Sequence, residues 1–420
     1  MTNAFNVNSI VANEALYWFE NELVLGNLCW RGFESEWRTI NGHKVGDTVS
    51  IERPARLVSV AGPDITGLVQ DVVYGKKDIK LNVQRTVPFK FDARGLTTEA
   101  DIRRVGEESI RAASSRLAQD VESAISGIYW QFANIYGTPG SPATTTKVLG
   151  QGGAILTNLA VEMPGRNAVI DPDMKVEFAD QIKSLSNTGK ERAALERTKI
   201  GPLHNFDTFE SASLTVHVAG DWAGTVLVNG ASQATTFAAV KATWVQNLII
   251  DGLTNSGAAQ LKKGDVFTLA GCFEVNPSTM QSTGRLRRFA LTADATVTAG
   301  GATVIITPPI IPLTSGTAAD KANATVTAGP ADNAAVTPIF TTAGGSYRQN
   351  LLFHKKAVSL VMKPLQKLES FGVWETRNRK GLSLTLSKGG DIYKHEEVWR
   401  LDILFGVDVL HTDLGIRLTN

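Results

Sequence analysis

Two cysteines in 420 residues, Cys29 and Cys272, rule out a disulfide-framed scaffold, and their separation gives no metal-ligand spacing. Charge imbalance is missing as well. The 42 basic and 41 acidic side chains leave a formal charge of +1, so no global field draws the chain to nucleic acid or to an anionic membrane. No apolar run reaches the ~18 residues that a spanning helix needs. The first residues, MTNAFNVNSIVANEALYWFENELV, have neither the basic start nor the continuous apolar stretch of a signal peptide. These absences predict a soluble protein made in a cytoplasm, with free thiols.

The motifs of catalysis are also lacking. There is no GxxxxGK[ST] phosphate loop, no GxGxxG after a strand, no GxSxG elbow and no HExxH. The six histidines, at 43, 204, 217, 354, 395 and 411, never fall three or four apart, which excludes a helical metal pair. His395 beside Glu396 and Glu397 reads as a solvated strand end, and Asp171 and Asp173 around Pro172 read as a helix start with no ion needed. TGKER at 188–192 lacks the upstream glycines of a phosphate cradle. The eight tryptophans are not interleaved with Lys and Arg, so they form no stacking platform for single strands. Trp18, Trp30 and Trp37 read instead as docking aromatics. The chain therefore reads as a non-enzyme with no catalytic residue, cofactor or metal.

What is present is organisation. Ala12, Leu16, Phe19 and Leu23 form the stripe of an amphipathic helix over 9–26, capped by Ser9. KVGDTVSIERP alternates as a strand, and RLVSV and IKLNVQRTVPFKF read as the two arms of a long hairpin over 55–91. Leu117, Val121, Ile125, Ile128, Phe132 and Ile135 continue a helical repeat. Unbroken from Thr98 to Tyr136, that helix would be roughly 58 Å long at 1.5 Å per residue. A weaker helix over TTTKVLGQGGAILTNLAV and a strand, acidic turn and helix over RNAVIDPDMKVEFADQIKSL follow, which argues for an α/β unit. From about 211 to 347 short β-branched runs alternate with Gly, Asn, Asp and Pro, the pattern of a sandwich or barrel, with long low-charge loops toward its end. AVSLVMKPL, GLSLTLSKGG and HEEVWRLDILFGVDVLH then return to longer strands. Length alone predicts two to four structural units, and the simplest account inserts the β-rich unit into a discontinuous α/β domain.

Within that insertion, NPSTMQSTGRLRRF (276–289) places Arg285, Arg287 and Arg288 around Leu286. Three arginines in four residues suit an anion or a salt bridge, but in a neutral chain the cluster has no call on nucleic acid. Its neighbourhood resembles the coat proteins of tailed double-stranded-DNA bacteriophages, in the short-tailed-phage family of the P-twenty-two type. KGDVFTLAG, VNPSTMQSTGRLRRF and TVIITPPI carry the resemblance, and GDTVSIERP and AVIDPDM extend it along the chain.

The resemblance implies an α+β, Hong Kong 97-like capsid fold with an inserted all-β barrel. It assigns 1–50 to an N-terminal arm, 51–95 to an extended-loop hairpin and 96–142 to the spine helix and peripheral domain. The first part of the axial domain would be 143–210, the inserted barrel 211–347, and the closing strands of the axial and peripheral domains 348–420. The implied function is a major capsid protein that self-assembles as hexamers and pentamers, with scaffolding protein, into an icosahedral procapsid. Portal protein and packaged double-stranded DNA, held non-specifically, are the other implied partners, in the virion and in the host cytoplasm during assembly. Leu16, Phe19, Leu23, Arg285, Arg287 and Arg288 are the candidate intersubunit contacts, the three arginines being contacts between or within subunits, and Gly220 to Ala239 is the candidate capsomer-contacting loop. A β-rich tail, decoration or adhesin protein is the competing reading, favoured by residues 211–347 alone.

Overall fold

The computed structural model describes residues 7–31, 48–53, 75–92, 99–141, 145–185, 201–231, 243–314, 318–365, 373–391 and 396–419, with 143, 233 and 316. TGKER, Trp37, His395 and the RLVSV arm lie outside the described residues, as does most of the second half of the Gly220–Ala239 loop.

In chain order the elements are α1 (Val7–Glu22), α2 (Leu25–Leu28), β1 (Thr48–Arg53), β2 (Gly75–Lys80), β3 (Val83–Asp92), α3 (Glu99–Ser126), β4 (Ile135–Tyr136), α4 (Lys147–Asn158), β5 (Arg166–Ile170) and α5 (Pro172–Leu185). The β-rich stretch follows with β6 (Asp207–Glu210), β7 (Val216–Val218), β8 (Gly224–Val228), β9 (Gln246–Leu253), β10 (Gly257–Leu261), β11 (Val266–Val275), β12 (Ser282–Leu291), β13 (Ala295–Val297), β14 (Ala302–Thr307), α6 (Ala318–Ala322) and β15 (Val336–Pro338). The chain ends with β16 (Ser346–His354), β17 (Val358–Lys363), β18 (Val373–Arg379), β19 (Leu382–Asp391), β20 (Glu396–Val409) and β21 (Gly415–Thr419). The fold is mixed α/β with strands in the majority, in two compact units: 1–51, 78–126 and 358–408 form one, and 52–77, 127–357 and 409–420 the other.

In the first unit α1 packs on α3 and on β18 and β19. The stripe read in the sequence is what it buries, with Ala12, Leu16, Phe19 and Leu23 all inaccessible alongside Leu117, Val121 and Ile125 of α3. Each large side chain so buried contributes about 1.5–3 kcal/mol. The sheet runs β17-β20-β19-β18, and β3 adds to β20 over a ten-residue antiparallel ladder from Val83↔Phe405 to Asp92↔Glu396. Of the expected hairpin, the RLVSV arm lies outside the described residues; in the rest β1 pairs with β2, and β3 becomes a strand of the five-stranded sheet. Apolar residues at alternate positions of β3 favoured that sheet over a free-standing hairpin arm.

The second unit holds two six-stranded sheets. One runs β4-β21-β16-β5-β6, with β7 paired to the start of β16. Ala168, Ile170, Leu352, Ile416 and Leu418 turn one of its faces toward Leu149, Leu156, Met174 and Phe178 of α4 and α5. The other runs β15-β11-β12-β14-β9-β8 around a core that includes Phe267, Phe289, Leu248, Ile250 and Val304. Strict alternation in β9 makes this possible: Leu248 and Ile250 are buried while Asn247 and Ile249 are exposed. The two end strands also meet. Leu227 bridges Ala335, Val228 N–H donates to Ala334 and Asn333 N–H donates back to Val228.

The long helix is shorter than its periodicity predicts. It stops at Ser126, and Tyr129–Gln131 form a single 3-10 turn before β4. Phe132 and Ile135 are buried as expected, but against strands: Ile135 pairs in parallel with Arg417, and Phe132 lies against Gly415, where any Cβ would collide with its ring.

Candidate functional site

The arginine cluster divides when placed in the fold. β12 is antiparallel to β11, with Phe267 opposite Phe289 and Phe273 opposite Leu286. Arg287 is only 2% exposed; its Nη1 donates to Glu274 Oε1 at 3.0 Å and its Nη2 to Asp413 Oδ1 in the turn before β21. Burial works against its charge, and Asp413 and Glu274 outweigh that, holding the guanidinium above its ordinary pKa. Arg287 thus ties β11 and β12 to the turn before β21 within its own chain. Arg285 and Arg288 remain partly accessible on either side of Leu286. Desolvation depresses the pKa of Arg288.

A second polar centre lies in the same unit. The Asp265 carboxylate is wholly buried and accepts from Gly220 N–H at 3.1 Å, Trp222 Nε1 at 3.0 Å and Lys262 N–H at 2.9 Å, with His217 Nε2 at 2.9 Å. His217 Nδ1 reaches the Tyr129 hydroxyl at 3.0 Å. Gly220 is required by this approach, because a Cβ there would strike the carboxylate, Lys262 N and Gln260 O. Beside it Arg417 is fully buried, donates from Nη1 to Gly264 O at 2.8 Å and sits 5.5 Å from the Tyr129 ring centroid. Burial pulls the Arg417 pKa down to about 10 and raises that of Tyr129. Trp244 Nε1 donates to Thr412 Oγ1 at 3.1 Å. Residues of the β-rich stretch therefore meet 129–136 and 412–417 through buried polar contacts that fix position, with Arg287 Nε and Arg417 Nε and Nη2 left without a hydrogen-bond partner.

In the first unit Leu16, Phe19 and Leu23 are 3%, 0% and 3% exposed, covered by their own chain. Within the single chain the apolar face of α1 packs on α3, β18 and β19. Trp18 lies under Arg111 at 4.5 Å, and Trp30 joins β17 through Val358 and Leu360. Glu122, buried on α3, accepts from the backbone N–H groups of Val24, Leu25 and Gly26 at 2.9–3.0 Å and so anchors the turn after α1. Desolvation raises its pKa above 4.5 despite those three donors.

A group with a raised folded pKa lends stability that is complete below its unfolded value and lost as pH rises through the folded one. The stability advantage of wild type over Glu122→Gln should therefore shrink as pH is raised from below 4.5 toward neutrality. Urea midpoints of both proteins across that range measure it, and a margin that grows with pH would overturn the assignment.

Asp171 is a cap: Oδ1 accepts from Met174 N–H at 3.3 Å and Oδ2 faces Arg348 at 3.5 Å. Sequence reasoning passed over Asp265, His217, Arg417 and Glu122. Only Glu122 left a signal, as a lone acid four residues after Ala118 and three before Ile125, on a face that is otherwise apolar.

Comparison with known proteins gives the family. A family model described as P22 coat protein, gene protein 5, matches residues 1–420. No curated protein matches. Among solved structures, one from Mycobacterium phage Che8 aligns at 13% identity over 94% of this chain and 90% of its own, with a TM-score of 0.45. The capsid of Ralstonia phage GP4 aligns at 9% identity over 90% and 84%, with a TM-score of 0.41. The CUS-3 coat protein I-domain aligns at 25% identity over 27% of this chain and 95% of its own, with a TM-score of 0.20. With the family match spanning every residue, this chain belongs to the P22 coat protein family and is a major capsid protein of a tailed phage.

Proposed function

We propose that the chain adopts the Hong Kong 97-like arrangement, with residues 211–347 as an inserted barrel, and assembles under a scaffolding protein into an icosahedral procapsid that receives double-stranded DNA through a portal. One observation carries the architectural part. The chain leaves the β4-β21-β16-β5-β6 sheet at β7 and returns to it at β16, with Val216↔Arg348 and Val218↔Ser346 side by side. Between those points lies a six-stranded sheet with its own core, whose end strands are joined at Leu227 and Ala335. An element that leaves and re-enters at adjacent positions supports an insertion, and the joined ends support a barrel, since closure removes the open edges along which sheets aggregate. α3 supports the spine, at roughly 42 Å for 28 residues.

The near-neutral charge suits a shell wall that encloses DNA without gripping it. Arg285 and Arg288 are the members of the arginine cluster left to act between copies. Negative-stain electron microscopy of sucrose-gradient fractions tests the proposal, with the chain expressed alone and with the candidate scaffolding gene beside its own. Uniform round shells with the scaffold, and polydisperse shells or spirals without it, are expected. Small monodisperse oligomers under both conditions would overturn it.

A further inference from the structure

We propose that, between neighbouring copies in the shell, the β11–β12 face of one chain docks on the exposed flank of α5 of the next. On the first surface Phe273 and Leu286 oppose one another across the ladder and remain 39% and 37% exposed. Arg285 and Arg288 flank Leu286, and among the described residues the ion pairs of this cluster belong to Arg287. On the second surface Val176 is 58% exposed, the largest exposure among the large apolar side chains of the described residues. Glu177 lies exposed beside it, and Asp173, one turn earlier, is 90% exposed with Arg348 no nearer than 3.8 Å.

Each surface thus pairs an exposed apolar side chain with charge, Arg288 facing Glu274 and Asp173 facing Arg348 across 3.8 Å while Arg285 and Glu177 have no ion pair among the described residues, and the two signs are opposite. A ring of identical copies closes only through a heterologous contact, in which two different patches of one chain complement each other. Either patch against itself would set like charges face to face, whereas Arg285 and Arg288 against Asp173 and Glu177 would steer and register the contact. The occupant is therefore a second copy of this chain. The inference rests on the reading of the chain as a shell-forming subunit and adds which surfaces meet.

The test is a charge exchange in the full-length protein. Arg285→Glu and Glu177→Arg should each reduce the particle yield about tenfold at physiological salt, and the double variant should recover most of it because the opposed signs are restored. A cysteine pair, Leu286→Cys with Val176→Cys, reads the contact directly. Oxidised particles should give a ladder of disulfide-linked chains on non-reducing gels, and unassembled subunits should not. The native thiols, both buried, do not compete. A double charge variant no better than the singles, with unfolding midpoints unchanged, would overturn the docking, as would intact cysteine-pair particles without a ladder. Absence of particles from the wild type itself would instead strike the shell reading.

Discussion

Replacing Arg287 by methionine is expected to destabilise the subunit by about 3–5 kcal/mol, because it removes the counter-charge that Glu274 and Asp413 share in a largely buried site. Methionine fills much of the same volume, so lost packing is a minor part of the effect. The diagnostic is the triple variant Arg287→Met, Glu274→Gln, Asp413→Asn, which removes the stranded charge and should regain most of the loss. Urea unfolding with unchanged slope measures both. A single variant within about 1 kcal/mol of wild type would mean that solvent enters the site and screens it. Since Asp413 is on the turn leading into β21 and Glu274 is on β11, the same variant should weaken the attachment of β11 and β12 to the C-terminal strand, seen as faster amide exchange along Gly415–Thr419.

Asp265→Ala is the other large effect, on the order of 3–5 kcal/mol, since it leaves Gly220 N–H, Trp222 Nε1, Lys262 N–H and the His217 ring without their acceptor. Asp265→Asn should cost less than the alanine change but more than a surface substitution. Its amide keeps one acceptor oxygen and turns two new donors toward groups that already donate. Trp222 gives the readout, its emission shifting as the indole loses its partner. A double-mutant cycle with His217→Ala should return a coupling of about 0.5–3 kcal/mol. A zero coupling would show that His217 and Asp265 are neighbours without an energetic link. The carboxylate is also a nearby negative charge for Arg417, which burial alone disfavours, so the variant removes support from a second buried cation.

Much of the fold was legible because it was periodic. Leu16, Phe19 and Leu23 announced one helix, Leu117, Val121 and Ile125 another, and the Asp171-Pro172 junction marked where β5 gives way to α5. Periodicity failed beyond Ser126, since Phe132 and Ile135 satisfy a helical spacing and a strand equally well. What decided between them was the β21 edge, which no local window contains. The arginine cluster was conspicuous, yet nothing in RLRR says which of its members faces Glu274 and Asp413; that follows from the twist of β12 and from a turn 126 residues away.

By itself, then, the sequence determined the class of molecule: a near-neutral, motif-poor chain whose apolar stripes and β-branched runs specify elements through local periodicity and turn chemistry. The tertiary structure alone decided which charges are buried and paired, which apolar faces are covered by the chain itself, and which remain exposed. The reason is physical. Element formation depends on residues a few positions apart, while desolvation and charge pairing depend on what the folded chain brings within a few ångströms, as Asp413 is brought to Arg287 and Gly264 to Arg417.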